Sequence, residues 1–92
     1  MSKVRIVRAA IALARVHGYE KVTREQIAKR LKCASGLINY HCTTMERLRG
    51  EIVREAIRIS DGAVLAQALV GKHALALAMS EQLKALARAS IG

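Results

Sequence analysis

The sequence predicts an all-α fold, and three observations carry that expectation. Apolar residues make up 52% of the 92-residue chain, but aromatic residues only 2%, with no Phe, Trp or Pro. A core built from Ala, Leu, Ile and Val suits closely packed helices, whereas strands favour aromatic residues and frequent turn signals. Capping signals recur at Thr23-x-x-Gln26, Thr43-x-x-Glu46 and Ser60-Asp61-Gly62, each ahead of apolar residues at helical spacing. A chain of this length makes one small domain around one core. The expected organisation is a single domain over residues 1–92: a helix-turn-helix head at 1–48 and a helical tail at 49–92.

The first helix is expected from Ser2 to His17, with Val7, Ala10, Ile11 and Ala14 as its core stripe. Gly18 stands where a left-handed C-terminal cap belongs, and His17 faces the negative end of the helix dipole. Thr23 and Gln26 form a capping box for a second helix that runs to Leu31 or Lys32 and buries Ile27, Ala28 and Leu31. A third helix is expected from Ser35 to Cys42, burying Leu37 or Ile38 together with Cys42.

Thr43 and Glu46 then open a longer fourth helix, whose apolar face is Met45, Leu48, Ile52, Val53, Ala56 and Ile57. Arg47, Arg49, Arg54 and Arg58 alternate with Glu46, Glu51 and Glu55, which reads as a salt-laced solvent face. Ser60-Asp61-Gly62 stops that helix and caps the next. Beyond it one or two C-terminal helices are expected, with a break at Gly71 and a restart at Ser80. Leu69, Ala76 and Leu83 are spaced by seven, as are Leu65, Lys72, Met79 and Leu86. Two heptads are too few for a coiled coil. The stripe serves either as internal core or as a seam between copies. The expectation is a homodimer held through Leu65, Leu69, Leu75, Met79, Leu83 and Leu86.

The net charge of +9 points to a polyanionic partner, nucleic acid or an anionic membrane surface. Residues 1–60 hold 13 Lys and Arg against 5 Asp and Glu, whereas residues 61–92 hold 3 against 2. The charge therefore sits with the head. No run approaches the roughly 20 apolar residues of a membrane span, so no membrane partner is expected. The apolar stretch Ala9 to Ala14 is flanked by Arg8 and Arg15 and lacks a cleavage pattern. Cys33 and Cys42 are too few for a disulfide framework, and with His41 they fall short of the four ligands of a structural zinc site. No carboxylate pair, nucleophile–base pair or phosphate loop can be assembled. The chain is thus expected to be no enzyme, to hold no metal or cofactor, and to be cytoplasmic and nucleoid-associated.

Two short helices joined by a tight turn, the second carrying exposed polar groups, suit entry into a DNA groove. Ser35 and Gly36 allow close approach, Asn39 can pair with adenine, and Leu37 can touch a thymine methyl. Tyr40 and His41 can reach phosphate or a base edge, and Thr44 is counted with them. Thr23 and Arg24 at the positive end of the second helix form a phosphate site, with Lys3 and Arg5 near any phosphate the head meets.

Ala9-Ala10, Leu13, Gly18-Tyr19, Thr23, Ile27-Ala28, the run Ser35-Gly36-Leu37-Ile38-Asn39-Tyr40-His41 and Glu46-x-Leu48 form one pattern. In it the segment Ile6 to Leu48 resembles the DNA-binding domain of the TetR (tetracycline repressor) family of bacterial transcription regulators. The resemblance implies a three-helix unit whose third helix enters the major groove, usually as a dimer on a palindromic operator. Departures from it are specific. Lys32 stands where family members often carry Gly, and a left-handed Lys costs about 1 kcal/mol there. Cys42 and Ala14 occupy places where the family favours Phe, which shrinks one region of core. Met45 replaces a Lys that in the family commonly contacts phosphate, leaving Arg47, Lys32 or Lys3 as substitutes. Relatives carry a long C-terminal ligand-binding domain. About 40 residues follow the start of the fourth helix here, so no small-molecule ligand is expected.

The expectation is a sequence-specific regulator binding double-stranded DNA, a repressor of a bacterium, phage or mobile element. Two alternatives differ in class. One is a sequence-tolerant DNA-binding accessory protein in replication, partition or packaging. The other is a protein-interaction adaptor that kept the head and lost its DNA role.

Overall fold

The computed structural model describes residues 3–41 and 44–91. Over them the chain forms α1 (Lys3–His17), a 3₁₀ turn (Tyr19–Lys21), α2 (Arg24–Leu31), α3 (Ser35–His41) and α4 (Met45–Ile59). The tail consists of two longer helices, α5 (Gly62–Val70) and α7 (Glu81–Ile91), joined through the single turn of α6 (Ala74–Leu77). No strand occurs among the described residues, and the architecture is all-α.

Each helix starts and stops for a local reason. In α1 the helical period buries Ile6, Val7, Ala10, Ile11 and Ala14 and turns Arg5 and Arg8 outward. Its expected first residue, Ser2, lies outside the described residues. Gly18 ends it, but not as a left-handed cap. Its φ of 92° and ψ of 141° are positive-φ extended backbone, open to glycine without strain. Its N–H still bonds the Ala14 carbonyl at 2.8 Å, and its own carbonyl accepts from Lys21 to begin the 3₁₀ turn. The extended ψ swings the chain directly into that turn, which sinks Tyr19 to 4% exposure.

The capping box of α2 forms as expected. Thr23 Oγ1 accepts from the Gln26 N–H at 3.2 Å, and Gln26 Oε1 accepts from the Thr23 N–H at 3.0 Å. Lys32 closes the helix in the left-handed region at φ 56°, ψ 47°, where its N–H reaches the last-turn carbonyls. The start of α4 differs from expectation by one residue. Its cap is Thr44, whose hydroxyl accepts from Arg47 N–H at 3.1 Å, so Glu46 sits in the first turn instead of closing a box. Thr43 and Cys42, to which the cap and a core position were assigned, lie outside the described residues. Ser60 ends α4 with φ 56°, Asp61 caps α5, and Ser80 caps α7 by accepting from Leu83 N–H.

One core runs through head and tail. Its largest fully buried side chains include Ile6 from α1, Ile27 from α2, Ile38 from α3, Leu48 and Ile52 from α4 and Leu65 from α5. Met45 and Ile57 complete the predicted α4 face at its edge, and Cys33 packs against the core half-buried. On the other face of α4, Glu51 pairs with Arg54 at 3.3 Å and with Lys3 of α1 at 3.4 Å. Glu55 is hydrogen-bonded by Arg58, which holds its carboxyl below the usual carboxylate range.

The tail is a hairpin, with α5 and α7 packed closely along each other. Gly62 permits that approach: a Cβ there would run into the Ser90 hydroxyl and sit 3.2 Å from the Leu86 carbonyl. The seven-residue spacing of the tail therefore does not describe one continuous seam, because the chain breaks at residues 71–73 and 78–80. Leu65 is wholly buried and Met79 is 8% exposed, so this chain's own core takes up both. Leu69, Leu75 and Leu83 pack at the edge of that core, and of the six seam residues Leu86 is the most open.

Two long-range contacts fix the tail on the head. Asp61 accepts from Arg15 Nε at 2.7 Å with one carboxylate oxygen and caps Val64 N–H with the other. Gln67 donates to the Ala14 carbonyl at 2.8 Å and accepts from Tyr19 N–H at 2.9 Å. Both close on the C-terminal end of α1, where the head turns into its second helix.

Candidate nucleic-acid interface

Successive residues of a helix are rotated by about 100°. In α3 the buried side chain is Ile38. That rotation puts Gly36 and Tyr40 on the side opposite Ile38, Ser35 and Asn39 on one flank, and Leu37 on the other. Exposure follows the rotation: Ser35, Gly36 and Asn39 are exposed, Tyr40 is 81% exposed and Leu37 37%. Of the two core residues offered for α3, Ile38 is the one taken. The Tyr40 ring stands edge-on to the half-buried His41 ring, with centroids 5.2 Å apart and planes at 89°. His41 thus braces the base of Tyr40 while its tip stays open.

Gly36 has no internal reason to be a glycine. A Cβ there would meet nothing within 4 Å. Glycine in the middle of a helix costs about 0.5–1 kcal/mol relative to alanine, and Gly36, the second residue of α3, leaves this surface bare of a side chain.

The remaining expected residues lie at helix starts. Thr23 and Thr44 cap α2 and α4 through their lone pairs and keep their O–H groups available as donors. Arg24 is the half-buried first residue of α2, and its Nε is sealed from solvent without a hydrogen-bond partner. Lys3 and Arg5 are exposed in the first turn of α1, Lys3 in its ion pair with Glu51. Lys21 and Arg49, which the sequence reading leaves out of the site, border the same space as Thr23 and Arg24. The alternation of charge on α4 places Arg49 on a solvent face, but it is half-buried, donates to the Glu20 carbonyl at 3.2 Å and carries an Nε without a partner. The usable signal was its spacing: four residues after Met45, it shares that residue's side of α4.

The family model described as bacterial regulatory proteins, tetR family, matches residues 6–52. The chain belongs to the TetR family. It is accordingly a helix-turn-helix DNA-binding protein of transcription regulation, and the match spans α1 to α3 and the first half of α4. No curated protein and no solved structure matches it. No helix among the described residues is long and apolar enough to cross a membrane, and no cluster of metal-ligating side chains occurs among them.

The TetR-type α3 gives Gly36 a direct test. Gly36→Ala is expected to raise stability in denaturant unfolding, by less than the ~1 kcal/mol of a helix-interior glycine, and to weaken DNA binding. Gains in both would show that nothing approaches that surface.

Proposed function

We propose that this chain is a sequence-specific repressor that reads the major groove of double-stranded DNA with α3 and acts as a homodimer on the nucleoid. The observation that carries the reading is the division of labour within α3. Ile38 enters the core, and Ser35, Gly36, Asn39 and Tyr40 are left to solvent on a helix exposed for little else. Side chains of this kind read base edges and fix register on phosphates. For the dimer, support comes from apolar side chains that the tail leaves open, Val70 at 75%, Leu77 at 51% and Leu86 at 40% exposure. Leu65 and Met79 act from within each copy, shaping that surface without touching the partner.

Selection from a random DNA pool at about physiological salt tests the proposal, since non-specific affinity is weak there. A palindromic motif is the expected result. A single half-site removes the dimer, and no enrichment despite retention at low salt favours the sequence-tolerant accessory role. On the selected site Asn39→Ala is expected to cost about 1–3 kcal/mol and to relax base preference. Equal weakening on every sequence would place Asn39 among the backbone contacts instead.

A further inference from the structure

Where α1 packs beside α4, two cavities of about 330 and 250 Å³ open side by side. Glu55 and Arg58 line both, so the two form one groove. From α1 it takes Lys3, Val4, Val7, Arg8, Ile11 and Arg15, which share one stripe of that helix. From α4 it takes Glu51, Arg54, Glu55, Arg58 and Ile59. The groove runs from the Lys3–Glu51 ion pair at one end to Arg15 and Ile59 at the other. At the helical rise this is about 18 Å, or roughly three turns.

Its floor is apolar and its rim is charged. Val7 and Ile11 lie in the floor at 7% and 3% exposure, whereas Val4 at one end and Ile59 at the other are left at 55% and 42%. The rim carries Lys3, Arg8, Arg15, Arg54 and Arg58 against the carboxylates Glu51 and Glu55. Glu51 pairs with Lys3 and Arg54, and Glu55 with Arg58, so both carboxylates are taken up within the rim. Arg15 is held by Asp61. Arg8 makes no ion pair among the described residues, and its charge joins the Arg58 hydrogen bond in holding the Glu55 carboxyl down. Positive charge is thus left over on both sides of an apolar strip. Its complement is a ligand with apolar side chains along the middle and carboxylates on the flanks.

A second copy of this chain is not that complement. With 16 Lys and Arg against 7 Asp and Glu, it would meet the rim with like charge. A DNA backbone brings negative charge but nothing to cover the apolar floor. An extended peptide needs a sheet edge for its backbone, and the described residues contain no strand. A helix satisfies its own backbone and enters a groove through anchors at i, i+4 and i+7.

We propose that the groove between α1 and α4 docks an acidic amphipathic helix of about three turns from a partner protein. Its apolar stripe lies on Val4, Val7, Ile11 and Ile59, and its flanking carboxylates meet Arg8, Arg54 and Arg58. No residue of α3 lines the groove, so a docked partner leaves the reading helix open, with Lys3 at the mouth as the point shared with DNA. The site stands apart from the choice between specific and tolerant DNA binding.

The probe is a stapled synthetic helix of about 12 residues, with Leu at i, i+4 and i+7 spacing and Glu on both flanks, followed by fluorescence anisotropy. At about 0.15 M salt the full chain is expected to bind it about tenfold more tightly than a stapled peptide of the same composition whose order breaks the Leu stripe. Arg8→Glu is expected to weaken binding about tenfold, because it sets like charges against each other. Lys29→Glu makes the same change of net charge on α2, outside both cavities, and should cost less than about threefold, since exposed charges more than about 8 Å away are screened. No binding by the wild-type chain, equal binding of the two peptides, or equal losses for Arg8→Glu and Lys29→Glu overturns the site. Melting followed by circular dichroism reports whether Arg8→Glu folds. If it does not, Arg54→Glu reads the same contact from α4, where the side chain is 68% exposed. Methyl NMR then places the peptide. Shifts at Val4, Val7, Ile11 and Ile59 support the groove, and shifts confined to Val70, Leu77 and Leu86 move the docking to the tail and sink it.

Discussion

Ile38→Ala is expected to destabilise the protein by about 2–5 kcal/mol and to abolish specific DNA binding even where the rest of the chain remains folded. Ile38 is wholly buried and belongs to the same core as Ile6, Ile27, Leu48 and Ile52. It is also the buried residue of a seven-residue helix. Helices so short are not stable in water without packing, because nucleation costs more than a few hydrogen bonds return. Truncating Ile38 opens a cavity in the core and removes the anchor that presents Ser35, Gly36, Asn39 and Tyr40 together. Ile38→Val separates the two effects: about 0.5–1.5 kcal/mol lost, with binding kept. Denaturant unfolding and binding to the selected site, measured on the same preparations, give both quantities. Tight specific binding by a folded Ile38→Ala variant would mean that contacts other than this side chain hold α3.

Much of this fold was legible because its signals are local. The Thr23–Gln26 box, the Asp61 and Ser80 caps and the breaks at Gly71 and Ser60 each depend on residues within a few positions. They placed helix ends to within a residue or two. Thr43 and Thr44 show the limit of such signals. Two adjacent hydroxyl residues offer the same pattern in two registers, and that pattern by itself does not point to Thr44, whose hydroxyl accepts from the Arg47 N–H. The heptad spacing left core and seam open for a related reason. A period of seven has meaning only along an unbroken helix, and the tail folds back at α6.

At the interface, the outward set of α3 could be read as the positions around one apolar residue. Arg49 could not, because alternating charges on α4 look the same whether they face water or a cavity. Contacts that set the tail on the head left no trace at all. Arg15 and Asp61 are 46 residues apart, and Gln67 is 53 from Ala14.

That long-range attachment carries the second large expected effect. Asp61→Ala should cost about 2–3 kcal/mol, from a lost helix cap of about 1 kcal/mol and a lost charge-assisted pair. Its side chain is 6% exposed, and both oxygens are used, one by Arg15 and one by Val64 N–H at the start of α5. Asp61→Asn keeps the cap, since Asn caps as well as Asp, and gives up only the charge. Arg15→Ala removes the same pair from the other side. Arg15 is half exposed, so its guanidinium hydrates when the partner is lost, and the pair itself is worth about 1 kcal/mol. The expected order of destabilisation in urea is therefore Asp61→Ala and Arg15→Ala above Asp61→Asn, because Arg15→Ala leaves the Asp61 carboxylate, 6% exposed, without its cation. Equal losses for Asp61→Ala and Asp61→Asn would assign the whole effect to the ion pair. A loss confined to Asp61→Ala would make the cap sufficient, leaving Gln67 to hold α5 against the end of α1.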